Sequence, residues 1–204
     1  MDEIDDEFDV KLGRIGRGHA QGTTLAGRGR PTGQRRVVVK ARIVRTKSGE
    51  TGAVRAHLRY VQCDGVTREG TPGELHDAGT DRADAKAFTE RSAGDRHQFR
   101  FIVAPEDSAE LADLEPVMRD LMLQMEQDLR KKLDRVAADH FNTGHPHTHV
   151  VPRGKDDRGD GLVIARNYIS HGLRGRPADL ITRELGLQRR RGSSSCFSRR
   201  LRPW

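Results

Sequence analysis

Arg36 to Val44 is a β-branched run that sets Val37, Val39, Ala41 and Ile43 on one side at period two, which predicts a β-strand. Past the turn dipeptide Ser48-Gly49 the period changes. Val54, Leu58 and Val61 recur at steps of three and four, so Gly52 to Gln62 is predicted helical, ending near Asp64-Gly65. A polar, glycine-rich connection follows from Val66 to about Gly94, with room for a short helix at Asp81 to Glu90. Alternation returns in Gln98 to Ala104, where Phe99, Phe101 and Val103 share a face of a second strand.

Leu111, Leu114, Met118, Leu121, Met122, Met125 and Leu129 then form one helical stripe, with Asp107 and Glu110 spaced as a capping box before it. Pro116 interrupts this pattern: either the helix kinks there, or a short turn precedes a helix that carries Pro116 in its first turn. Leu133 to Asp139 and His147 to Val151 are predicted strands joined by a turn at Asn142-Thr143-Gly144, and Gly161 to Ile164 a short fifth strand. Arg166 to Leu185 is predicted helical with a break near Gly172 to Pro177. The order β-α-β-α-β-β-β-α predicts an α+β two-layer sandwich, an antiparallel or mixed sheet of about five strands covered by helices on one face.

The ends lack such patterning. Residues 1–35 pass from an acidic start into a Gly/Arg-rich leader, and residues 188–204 form a basic Arg/Ser tail, so both are expected to be disordered around an ordered domain at 36–187. At 204 residues, with 34% hydrophobic and 33% charged, the chain has material for one core and not two. The net charge of +7 favours a polyanionic partner, although basic tails alone produce such a balance. No apolar run is long enough to span a bilayer and the acidic N-terminus is unlike a secretory signal, so a cytoplasmic protein without membrane insertion is expected. Cys63 and Cys196 are far apart and suggest neither a disulfide framework nor a cysteine zinc site.

The chemistry concentrates in Asp139-His140-Phe141-Asn142-Thr143-Gly144-His145-Pro146-His147-Thr148-His149, which holds four of the nine histidines. On a strand His147 and His149 point to the same face, and a hairpin can fold His140 back onto it, giving three imidazoles for one divalent ion with coordination positions left open. His145 could ligate or contact substrate, and Asp139 or Asn142 could orient an imidazole. Of the two tyrosines, Tyr60 sits among Arg55, Arg59 and Arg68, whose charge would favour a phenolate nucleophile. Tyr168 is the alternative nucleophile.

Two blocks carry a family resemblance. Leu58-Arg59-Tyr60-Val61-Gln62-Cys63-Asp64-Gly65 is similar to the tyrosine block, and His140 to Val151 to the metal block, of relaxases of conjugative and mobilisable elements. These are type IV secretion-associated nickases of the His-hydrophobic-His endonuclease superfamily. Cys63, Asn142 and Thr148 stand where the family has arginine, aspartate and an aliphatic residue. Asp156 to Arg174 also resembles a stretch of larger relaxases, which implies a grip on DNA. The resemblance spans roughly residues 36–187 and implies a longer protein, leaving truncation or a frameshift open for the segment ending at Trp204.

The resemblance implies a relaxase palm-like fold in which Tyr60 attacks a phosphodiester at a transfer origin and forms a 5′-phosphotyrosine bond. It further implies Mg2+ or Mn2+ on His140, His147 and His149. Single-stranded DNA would be the partner, held by Arg55, Arg59, Arg68 and Arg174 with Lys40, Arg42 and Arg100, alongside accessory nicking and secretion-coupling proteins. Two other readings of the same residues remain: a metal-dependent phosphodiesterase that activates water, and a non-catalytic DNA-binding remnant.

Overall fold

The computed structural model describes residues 33–46, 50–64 and 67–187. The Ser48-Gly49 turn, Gly65, nearly all of the leader and the 188–204 tail lie outside the described residues. Four strands, β1 (Val37–Arg45), β2 (His97–Pro105), β3 (Leu133–His140) and β4 (His147–Asp156), form one antiparallel sheet in the order β1-β2-β4-β3. The helices are α1 (Gly52–Asp64), α2 (Ala85–Arg91), α3 (Glu115–Leu129) and α4 (Leu173–Leu185), giving an α+β domain.

The helices do not lie on one face, as the sequence had suggested. Val39, Phe99, Phe101, Val103, Ala137 and Val150 bury one face of the sheet against Met118, Leu121 and Met122 of α3 and Leu173 and Ile181 of α4. Val136, Ala138 and Val151 bury part of the other against Val54, Leu58 and Val61 of α1 and Phe88 of α2. Strand alternation explains the division: β3 and β4 bury apolar residues at both parities, whereas β1 turns Val37, Val39, Ala41 and Ile43 to one face and leaves Val38 exposed on the other. The outer edge of β3 is closed where His76 and Ala137 exchange two backbone hydrogen bonds, of 2.9 and 2.8 Å.

Gly161 to Ile164 is not a fifth strand. It touches β4 through one bridge, Lys155 to Gly161, while Leu162 and Ile164 bury their side chains in the larger core, so its apolar pattern records burial without a ladder. Asp107 forms no helix cap either: it and Glu110 both bind Arg35 at 2.9 Å, and Arg35 Nε donates to the Gly186 carbonyl beyond α4 at 2.9 Å. Pro116 occupies the first turn of α3, where a missing N–H costs nothing. The short helix forms at α2, capped by the Asp84 carboxylate, which accepts from the Lys86 and Ala87 N–H groups. In place of a break before α4 there is a π-helical turn, Tyr168–Gly172, with Pro177 inside the helix that follows.

Candidate metal centre

Position parity puts His140 on β3 with Val136 and Ala138, and His147 and His149 on β4 with Val151, so all three face α1. His140 and His147 are direct cross-strand partners, and His149 lies opposite Ala138. Their rings converge with centroids 4.4–5.1 Å apart, and one ligand nitrogen from each lies within 4.8 Å of the others.

Hydrogen bonds assign the nitrogens. A carbonyl can only accept, so His140 donates from Nε2 to the Val61 carbonyl at 2.8 Å and turns its Nδ1 lone pair to ligand duty. His147 donates from Nδ1 to the His145 carbonyl at 3.1 Å, which leaves Nε2 facing His149 Nε2 at 3.2 Å. Two nitrogens each bonded at roughly 2.1 Å to one ion stand roughly 3.0–3.4 Å apart, so this separation suits a shared cation. Burial, then the neighbouring His140, His147 and His57 rings, push His149 down to about 3, keeping it in the neutral form that ligates. The donor set fits a divalent ion, and its chemistry alone does not select which.

Tyr60 projects from α1 on the same side, 52% exposed, with its ring edge-on to His149 at 6.4 Å and stacked on His57 at 6.1 Å. Arg55 and Arg59 line a groove of about 510 Å³ with Tyr60 and Cys63. Arg68 lies elsewhere, its guanidinium 4.9 Å from the Phe141 ring centre and donating to the Leu111 carbonyl, beside a cavity of about 420 Å³ that Asn142 also lines. Arg174 belongs to α4, on the opposite face of the sheet, and its side chain is outside the described residues.

Other candidates take different places. Tyr168 packs against the α3–α4 core, where its hydroxyl donates to Asp128 at 3.0 Å; burial, then this carboxylate, raise it well above the ordinary phenol value. Asp139 points away from the imidazoles, accepting from the Thr148 hydroxyl with His76 Nε2 at 3.9 Å, and burial pushes its carboxyl up to about 7. His145 has an exposed ring, and its backbone carbonyl, not its imidazole, orients His147. Sequence reasoning passed over His57, although its spacing of three from Tyr60 places both on one helical face.

The fold and site define an α+β domain with a three-histidine centre able to hold a metal ion beside an exposed tyrosine. No protein-family model, curated protein or solved structure matches the chain. Among the described residues no helix is long and apolar enough to cross a membrane.

Proposed function

We propose that this chain is a metal-dependent, tyrosine-nucleophile DNA strand nickase of the relaxase type, acting in the cytoplasm on single-stranded DNA at a transfer origin. One observation carries the reading: the three clustered imidazoles share a sheet face with Tyr60, whose exposed ring lies 6.4 Å from His149. A water-activating phosphodiesterase needs the imidazoles alone and gives no reason for an exposed phenol beside them.

In the proposed reaction the Tyr60 oxygen attacks phosphorus, and the bond to the 3′ oxygen of the preceding nucleotide breaks. The phenol proton ends, in net terms, on that departing 3′ hydroxyl, and the 5′ phosphate stays on Tyr60. The phosphoester bond is conserved, so a 3′ hydroxyl can reverse the step without ATP. A magnesium or manganese ion held by His140, His147 and His149 would supply positive charge against the phosphate oxygens as negative charge builds there. Arg55 and Arg59 line the groove beside Tyr60, where their charge would attract the DNA backbone.

The test uses 3′-end-labelled single-stranded oligonucleotides of randomised sequence with manganese. The nickase leaves label attached to denatured protein, and both chelator and Tyr60→Phe abolish it. Cleavage that survives Tyr60→Phe without any adduct would instead favour the phosphodiesterase.

A further inference from the structure

The α1 face of the sheet carries two kinds of arginine. Arg153 on β4 grips Asp95 through two bonds of 3.0 Å and Asp134 through a third, and Arg91 on α2 closes on Asp134 at 2.7 and 2.9 Å. Arg42 and Arg100 differ. They are direct cross-strand partners on β1 and β2; Arg100 Nε donates to Gln98 Oε1 at 3.1 Å, but among the described residues neither arginine forms an ion pair with a carboxylate. Like charges directly opposite one another on adjacent strands destabilise a sheet. Arg100 is also half-buried, and burial, then the charge of Arg42, hold its guanidinium down at about 10.

His57 adds a third unfavourable feature. Its Nε2 is shielded from solvent and has no hydrogen-bond partner, an arrangement that costs stability unless a ligand or water completes it. Burial, then the charges of Arg100 and Arg42, push the ring down to about 4, so all three groups act on one another. One bound anion would remove all three penalties, by cancelling the repulsion between the guanidinium groups, giving both a counter-charge and giving His57 Nε2 an acceptor.

We propose that Arg42, Arg100 and His57 form a phosphate-binding subsite, which takes the backbone phosphodiester next to the one attacked by Tyr60. Ile102 pairs with His149, and Arg100 lies two residues further along the same face of β2, roughly 7 Å away at strand spacing. That step is comparable with the separation of successive phosphates in an extended strand. His57 stacks on Tyr60, so the subsite adjoins the nucleophile. Only the assignment of the anion to DNA rests on the nickase reading; the charge imbalance does not.

The test compares the full chain with Arg42→Gln and Arg100→Gln by thermal unfolding, in chloride and in inorganic phosphate at matched ionic strength. Expected are a higher midpoint for each variant than for the parent in chloride, and a phosphate-induced rise that only the parent shows. Affinity for a single-stranded thymidine oligonucleotide should fall about tenfold in Arg42→Gln, and the slope of log affinity against log salt should flatten by about 0.7, one phosphate contact. His57→Phe removes the unpartnered nitrogen while keeping an aromatic ring beside Tyr60, and should lower the phosphate response and raise the chloride midpoint. Equal stabilisation of parent and variants by phosphate, or an Arg42→Gln chain that melts below the parent in chloride, would overturn the subsite. Covalent capture at Tyr60 is scored separately: its absence with the phosphate response intact removes the nickase and keeps the anion site, whereas capture with no phosphate response does the reverse.

Discussion

On the face under α3 and α4, Phe101, Val103, Ala137 and Val150 meet Met118, Leu121, Met122 and Leu173, none more than 1% exposed. On the face under α1 the same sheet pairs a smaller apolar patch with converging imidazoles, a cross-strand arginine pair and an exposed tyrosine. One face is close-packed and dry, so its residues are replaceable only by others of similar volume. The other accepts unfavourable placements that the first face can hold in position, as expected where binding groups must be preorganised. The larger core therefore lies under α3 and α4, while the α1 face combines a smaller core with the candidate site.

The sharpest way to break this division is to shorten a core side chain on the packed face. Phe101→Ala should cost about 3–5 kcal/mol of unfolding free energy, whereas Tyr60→Phe should change it by less than about 0.5 kcal/mol; urea unfolding of both variants checks the contrast. Comparable losses would show that the Tyr60 hydroxyl itself supports the fold. Next comes ion binding: manganese at a hundredfold excess over its dissociation constant should stabilise the parent by about 2.7 kcal/mol, and His147→Ala or His149→Ala should abolish the gain in a thermal-shift titration.

A smaller effect belongs to the compensated charges. Burial alone would raise Asp134, but hydrogen bonds from Arg91 and Arg153 outweigh it and hold the carboxyl below its ordinary value. The unfolded chain therefore binds the proton more readily, and the stability contributed by Asp134 is present above the unfolded Asp value near 4 and lost as pH falls through the lower folded value. Asp134→Asn should cost about 1 kcal/mol at pH 7 after allowance for solvent screening, and the gap from the parent should narrow progressively in urea titrations as pH falls below the unfolded Asp value near 4. A gap unchanged at low pH would detach this network from ionisation. Smallest of all, His145→Ala should leave the manganese response intact, because the backbone carbonyl rather than the ring orients His147.

Strong periodicity made much of the packed face readable. Val37, Val39, Ala41 and Ile43, and Phe99, Phe101 and Val103, recur at period two, and the methionine-rich stripe of α3 faces the core. The second helical layer was also present in the sequence, in the consecutive apolar residues Val136, Ala137 and Ala138, which only a strand covered on both sides can bury. The continuation of β4 from Pro152 to Asp156 was not legible by hydropathy, since a partly buried Arg153 and a buried Asp156 are held in β4 through ion pairs with distant residues. Asp107 and Glu110 matched a capping box locally, yet Arg35, more than seventy residues earlier, binds both.

The imidazole cluster followed from strand parity and hairpin pairing alone, which is why His140, His147 and His149 could be grouped from their spacing. The orienting roles could not. Asp139 differs from His140 by one residue and therefore by one face of the sheet, and His145 contributes a main-chain atom that no side-chain reasoning would single out. His57 carried a local signal in its spacing from Tyr60, but its unpartnered nitrogen depends on the fold around it.

The most direct measurement is to digest the DNA of a covalent complex with nuclease and locate the residual nucleotide by peptide mass spectrometry. The account predicts a phosphodiester-linked nucleotide on the peptide containing Tyr60, formed only when a divalent ion is present. A nucleotide on Tyr168, or an adduct that forms equally well in chelator with His147 and His149 replaced, would contradict it.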